Sequence, residues 1–378
     1  MMNEKGQNEY LALVNRVHPD FRGVWERRDP KEQASLAAYF LPRKSGKQWL
    51  DPTRPRVIKW YCPFAAQSTF PSGHRYCINT YVGCAHNCVY CYANAYTADR
   101  VASKDGFRKM VDKDMADLEC FNVPPAPVHL SNSTDPLQEG FETTFRHTRY
   151  ALEQILTHRK RFTTVAILTK NPALVLRDGY VDLLGQLNVI PSEHPMHEQF
   201  AKQCLTGFQI EVSLAFWREE ARQFYDPYAP SVDERKDVIL RLREAGIPVV
   251  LRIDPLFPRS PLPTEPTRNL ADFSLAEAQT IEDLQNLVAF GKKVGVRHVV
   301  YSPVKIVQPR RRKMGEAMVK MKSVYCAMSA PGKPIWRGGS FRLPKEVADR
   351  EVVVPFLRIC ADHGVKAKFC MTNLIETP

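Results

Sequence analysis

Apolar, β-branched runs recur through the middle of the chain and alternate with stretches whose apolar residues fall at helical spacing. Six such runs predict strands, at 77–83, 127–133, 163–170, 208–214, 247–255 and 296–302. The clearest is Ile247-Pro-Val-Val-Leu-Arg-Ile-Asp-Pro, because β-branched side chains fit a buried pleated backbone. Between the strands, 145–156, 232–245 and 275–294 carry the helical period, with shorter helical stretches at 173–176 and 180–184. Gly246 and Gly295 follow two of these helices, where a left-handed cap is expected. Strands alternating with helices predict an α/β fold, a parallel sheet of βα units. The polar clusters fall at the C-terminal ends of the predicted strands, where barrel enzymes assemble their sites.

Flanking segments complete the outline. Residues 1–60 read as an accessory N-terminal segment rich in charge and Pro, with helix-like patches at 10–17 and 30–40. Residues 61–303 form the expected core, and 304–378 a basic C-terminal extension whose 352–368 stretch reads as a helix plus a strand. Pro-rich loops at 192–198 and 257–267 are candidate lids. With 378 residues, 44% apolar and 25% charged, the chain is well supplied for a buried core. No apolar run approaches the roughly 18 residues of a membrane span, so no membrane partner is expected. The N-terminus lacks the apolar centre of a secretory signal. Ten cysteines in that setting predict metal or redox chemistry in a reducing, cytoplasmic compartment rather than a disulfide scaffold.

The formal charge of +12 is uneven. From Pro303 to Lys345 the only acid is Glu316, against a run of bases that includes Arg310, Arg311, Arg312 and Lys313. Such a segment can neutralise phosphates, so nucleic acid is a candidate partner. A solvated basic face, or a loop that holds a small carboxylate, is the alternative.

Chemistry concentrates in Tyr81-Val-Gly-Cys-Ala-His-Asn-Cys-Val-Tyr-Cys-Tyr-Ala. Cys84, Cys88 and Cys91, spaced C-x3-C-x2-C, can reach three corners of a cubane 4Fe-4S cluster and leave its fourth iron without a protein ligand. Zinc would need a fourth ligand, for which His86 is the local candidate from inside the same tight loop. That alternative describes a non-catalytic, zinc- or cluster-bearing nucleic-acid-binding module. Cys77 is expected to pack within its strand. Cys326, Cys360 and Cys370 are candidates for a further thiol or a second cluster, although their wide separations suit ordinary core or surface positions better. Cys62, Cys120 and Cys204 carry no signal.

The cysteine loop resembles the signature of the radical S-adenosylmethionine (SAM) superfamily. Further stretches are similar to its branch related to spore photoproduct lyase: Ser131-Asn-Ser-Thr-Asp-Pro, Ile167-Leu-Thr-Lys, Ile210-Glu-Val-Ser-Leu, Pro227-Tyr-Ala-Pro-Ser-Val-Asp-Glu-Arg and Leu242-Arg-Glu-Ala-Gly-Ile-Pro-Val. The resemblance implies a partial (β/α)6 TIM-type barrel with N- and C-terminal extensions. It implies a cluster that reductively cleaves SAM to a 5′-deoxyadenosyl radical, which then takes hydrogen from a substrate. An electron donor such as a flavodoxin or ferredoxin is implied as a partner. The resemblance puts backbone around Tyr90 near adenine, Ser131, Asn132 and Ser133 near the SAM amino group, and Ser213 and Arg252 at the ribose and carboxylate. Asp135, Lys170 and Asp254 are pocket candidates without a role. Arg252 and Asp254, alternating on one strand face, equally suit a structural ion pair. One departure stands out: spore photoproduct lyase carries a hydrogen-donating cysteine just before its Thr-Ser-Asp stretch, and here the matching residue is Asn132. The resemblance therefore names neither the substrate nor a catalytic residue.

Overall fold

A computed structural model describes residues 57–59, 76–95, 97, 100–120, 125–202, 206–262, 266–309, 313–329, 335–337 and 340–370. The expected patches at 10–17 and 30–40, Cys62, Cys204 and Arg310–Arg312 lie outside them.

All six predicted strands are present. They are β2 (Tyr76–Ile78), β3 (Ala126–Leu130), β4 (Phe162–Thr169), β5 (Phe208–Ser213), β6 (Val249–Leu256) and β7 (Val299–Pro303). They pair in chain order, all parallel. Helices Phe107–Cys120, His147–Thr157, Tyr180–Asn188, Val232–Glu244 and Ile281–Lys293 lie between successive strands. Two further strands extend the sheet. A short β1 (Ile58–Lys59) runs antiparallel to β2, its entry fixed by Asp114, whose Oδ2 accepts Val57 N–H at 2.7 Å and Ile58 N–H at 2.8 Å. At the other edge β11 (Ala367–Phe369), from the C-terminal extension, pairs parallel with β7 after the helix Val354–Asp362. Among the described residues no ladder joins β11 back to β2, so the seven parallel strands form an open, partial barrel. Beyond β7, β8 (Ile306–Val307), β9 (Ile335–Arg337) and β10 (Ser340–Arg342) make a small antiparallel sheet.

Strand alternation sorts the sheet's two faces. On β5, Phe208, Ile210 and Val212 join the apolar core, while Gln209, Glu211 and Ser213 point to the other face. On β6, Leu251 and Ile253 belong to the core, and Arg252 and Asp254 to that polar face. The core continues through Ala151, Leu152, Ile155, Leu183 and Leu187 of the helices packed outside. Each fully buried Leu, Ile or Val there contributes about 1.5–3 kcal/mol relative to exposure. The polar face is what makes the interior of this sheet a site.

Boundaries differ from expectation where side chains or glycine intervene. The first strand ends at Ile78, not Gly83, because Val82 leaves the sheet to bridge Ala102. Gly83 has φ +66°, and a Cβ there would sit 2.3 Å from the Arg100 carbonyl oxygen, so only glycine fits. The helix expected from 275 begins at Ile281: Thr280 and Asp283 form a reciprocal capping box, with Asp283 N–H to Thr280 Oγ1 at 3.0 Å. Gln279, just before it, is drawn inward to bond Phe257 N–H and the Ala215 and Pro255 carbonyls. Gly246 and Gly295 do take the left-handed cap, at φ +75° and +67°. No helix among the described residues is long and apolar enough to cross a membrane.

Candidate functional site

The cysteine loop leaves the C-terminal end of β2 and is fastened to its surroundings mostly by side chains. Gln138, completely buried, accepts Ala85 N–H at 2.6 Å through Oε1 and donates through Nε2 to Thr134 Oγ1 and the Asp135 carbonyl, both at 2.9 Å. Thr134 Oγ1 donates to the Gly83 carbonyl, and Val89 N–H to the Tyr225 carbonyl at 3.0 Å. A turn closed by Cys91 N–H to Cys88 O at 3.1 Å runs into the 3-10 helix Tyr92–Ala95. Cys84 and Cys91 are half-buried and Cys88 is buried, and none of the three is in a disulfide.

The three thiols are electrostatic neighbours. Burial, then the charges of Asp135 and Cys91, push the Cys84 thiol up to about 12. Burial pushes Cys88 well above the ordinary thiol value, with Asp226, Cys91 and Cys84 adding to the rise against Lys170. Thiols such as Cys84 and Cys88 are poor as free thiolates and suited to a cationic group that replaces their protons. Among the described residues, no three His, Cys, Asp or Glu side chains converge as ligands of one metal ion. His86 faces away from that role: Nδ1 lies 3.2 Å from the Tyr228 carbonyl and Nε2 3.0 Å from Asp135 Oδ2. The loop thus offers three thiols and no fourth ligand, which fits a cubane cluster with one open iron.

Asp135 acts as a brace. Its carboxylate accepts Leu137 N–H at 2.9 Å, Thr169 Oγ1–H at 2.8 Å and Lys170 N–H at 2.6 Å, besides His86. Burial alone would raise this carboxyl, yet His86 and the two backbone N–H donors hold it below the usual carboxylate range. One side chain therefore joins the cysteine loop to the ends of β3 and β4.

Other expected residues fall into two groups. Near the loop, Ser131 takes a left-handed φ of +63° and donates its N–H to Ile78 O at 2.6 Å, with its hydroxyl 3.4 Å from Thr80. Asn132 donates to Cys77 Sγ at 3.2 Å and its carbonyl accepts from Tyr92, while Ser133 N–H donates to Asn79 Oδ1 at 3.1 Å. The Tyr90 ring packs edge-on to Phe216 and Phe257, with centroids 6.2 and 5.5 Å away. The loop 257–267 thus contributes Phe257 to the site wall. The 192–198 loop, by contrast, lies at the N-terminal end of the strands, opposite the cysteine loop, where His194 bonds the carbonyl of Phe162 at the start of β4. It cannot act as a lid there.

The second group spans β5 to β7. Ser213 and Arg252 are register partners on β5 and β6. The Arg252 guanidinium donates to Glu211 Oε2 at 2.6 Å and to Asp254, and it lies 2.7 Å from Cys370 Sγ. Ser302 Oγ donates to Asp254 Oδ1 at 2.5 Å, and His129 Nε2 lies 3.5 Å from Glu211. Arg252 is thus already paired with two carboxylates. Cys370, just past β11, joins this group, whereas Cys360 is in the core and Cys326 is exposed. Lys313 is exposed.

Two residues were missed. Asp226, with no exposure, accepts Lys170 Nζ at 3.0 Å, and Arg235, equally buried, lies 4.0 Å behind it. Their signal was available: Asp226 directly precedes the Pro227-Tyr-Ala-Pro stretch, and Arg235 sits among Val232, Val238, Ile239 and Leu242 on the apolar face of a helix. A charged residue on such a face needs a buried partner.

A mutant spore photoproduct lyase with serine in place of cysteine superposes with a TM-score of 0.52, covering 82% of this chain and 79% of that one at 14% identity. The chain has the spore photoproduct lyase fold. A structure of the lyase complexed with a dinucleoside spore photoproduct agrees, at TM-score 0.50, 13% identity and coverage of 82% and 80%. In sequence, an uncharacterized protein of Methanocaldococcus jannaschii is 26% identical over 189 residues, 49% of this chain. The chain spans about three-fifths, 62%, of that relative's length. No protein-family model matches the chain.

Proposed function

We propose that this protein is a radical SAM enzyme that holds a 4Fe-4S cluster through Cys84, Cys88 and Cys91 and binds SAM at the iron left open. The reading is carried by one observation: three cysteines of a single loop, outside any disulfide and mutual neighbours at the C-terminal end of a parallel strand, with His86 engaged elsewhere. When bound, the cluster and SAM supply a 5′-deoxyadenosyl radical for hydrogen abstraction. The chain's own residues hold and orient. Asp135 and Gln138 lock the loop against β3 and β4. Tyr90, Phe216, Tyr225 and Phe257 form an aromatic wall that keeps water from its back. Ser131, Asn132 and Ser133 are the proposed contacts for the SAM amino group, the backbone at Tyr90 for adenine, and Ser213 with Arg252 for ribose and carboxylate. Glu211 and Asp254 would then fix the guanidinium plane on which a ligand carboxylate docks. A nucleic-acid component is the proposed substrate class. Support for it comes from the basic stretch around Lys313 and from the lyase fold, of which one solved member is complexed with a dinucleoside photoproduct. With Asn132 where that lyase family has its cysteine, the proposal does not extend to photoproduct repair. A flavodoxin- or ferredoxin-like donor and a cytoplasmic setting complete it.

Anaerobic reconstitution with ferrous ion and sulfide tests the assignment. The expected result is brown protein with about four irons per chain and 5′-deoxyadenosine release on adding SAM and a reductant. Cys88→Ala should lose both. Colourless protein with stoichiometric zinc would overturn the reading.

A further inference from the structure

Behind Cys88 lies a buried charge set that the cysteine motif does not require. The Asp226 carboxylate faces the Cys88 thiol and the Tyr90 hydroxyl. Its Oδ2 accepts Lys170 Nζ at 3.0 Å, and Lys170 Nζ also donates to Tyr90 OH at 2.7 Å. Arg235 stands 4.0 Å from the same carboxylate and donates to the Ser213 carbonyl at 2.8 Å. Asp226 and Arg235 have no exposed side-chain surface, and Lys170 is 14% exposed. Asp226 Oδ1 and Arg235 Nη2 are buried without a hydrogen-bond partner.

Burying two cations with one carboxylate is costly, and packing alone would be served as well by apolar residues of similar size. The set leaves an excess positive charge beside one cluster ligand, in a largely buried region. Reducing a cluster adds one negative charge at that point. A unit charge within about 10 Å, in a medium of effective dielectric about 20, shifts such an equilibrium by more than tenfold.

We propose that Lys170, Asp226 and Arg235 set the reduction potential of the cluster held by Cys84, Cys88 and Cys91, with Lys170 and Asp226 acting in opposite directions. The proposal rests on the cluster assignment above. Lys170 and Asp226 act through Cys88 and Tyr90 and are tuning residues, not catalytic ones. Lys170 raises the potential by favouring the added electron. Asp226 lowers it while holding Lys170 in place.

The test is a redox titration of anaerobically reconstituted protein, followed by the electron paramagnetic resonance signal of the reduced cluster, without SAM or substrate. Lys170→Met should lower the midpoint by about tenfold in the reduction equilibrium, about 59 mV for one electron. Asp226→Asn should raise it by a similar factor, and Lys170→Arg should return it close to wild type. Shifts in the same direction, or unchanged midpoints with iron content retained, would overturn the proposal. Should Lys170→Met fail to fold, Asp226→Asn decides alone: a raised midpoint supports the proposal, and an unchanged or lowered one refutes it. A wild-type chain that takes up no cluster overturns the cluster assignment and this proposal together.

Discussion

Two buried ion networks share this sheet, and they are built with opposite balances. Asp226 is surrounded by Lys170 and Arg235, two cations to one carboxylate, directly behind Cys88. Across β5 and β6, Arg252 is held between Glu211 and Asp254, two carboxylates to one guanidinium, with Cys370 alongside. Burial by itself would lower the Lys170 amine, but Asp226 and Cys88 more than offset it and raise it. Glu211 moves the other way: burial would raise it, and His129 and Arg252 hold it well below the usual carboxylate range. The cationic set is hydrogen-bonded incompletely and lies against the cysteine loop. The anionic set pairs its charges closely and ties neighbouring strands together. Near-equal burial thus comes with opposite balances, an excess of positive charge in one place and a guanidinium enclosed by carboxylates in the other.

The contrast can be broken by mutation. Glu211→Ala should have the largest effect on stability, about 3–5 kcal/mol, because it leaves Arg252 with one carboxylate fewer in a buried site. Urea denaturation measures it, and a loss under 1 kcal/mol would mean the network is not structural. Next is a pH effect at the same end of the sheet. Burial, then Lys368, lowers His298 to about 4 from 6.5. Its folded value is depressed, so its contribution is full above pH 6.5 and is lost as pH falls toward 4. The loss is roughly 3 kcal/mol. Denaturation midpoints at pH 7.5 and 4.5 should differ less in His298→Gln than in wild type, and an equal difference would remove His298 as the cause. The smallest effect is expected in the cationic set. Tyr90→Phe deletes the hydroxyl that accepts Lys170 Nζ and should cost about 1.5 kcal/mol, with iron loading retained. Loss of iron from this variant would show that Tyr90 holds the loop rather than the charge set.

Much was legible in advance for identifiable reasons. Six strands followed from β-branched runs, and Gly246 and Gly295 marked helix ends because a left-handed cap favours glycine over a Cβ-bearing residue. The first strand was overextended because no local pattern reveals that Val82 pairs with Ala102. The helix expected at 275–294 begins later because apolar periodicity continues through 275–280, where the Gln279 side chain bonds inward and Thr280 caps the helix. The joining of β11 to β7 depends on a pairing between segments more than sixty residues apart, beyond the reach of periodicity.

At the site the division is sharper. Sequence by itself determined that three cysteines share one loop, because residues spaced three and two apart cannot lie far from one another. It also determined the alternation that sends Arg252 and Asp254 to one face of a strand. Only the tertiary structure decided what those groups meet: that His86 turns to Asp135 and Tyr228, that Arg252 is claimed by two carboxylates, and that Lys170, Asp226 and Arg235 gather behind Cys88. The physical reason is range. Spacing fixes geometry over one loop or strand, whereas the balance of buried charge is set by side chains that folding brings together from distant elements.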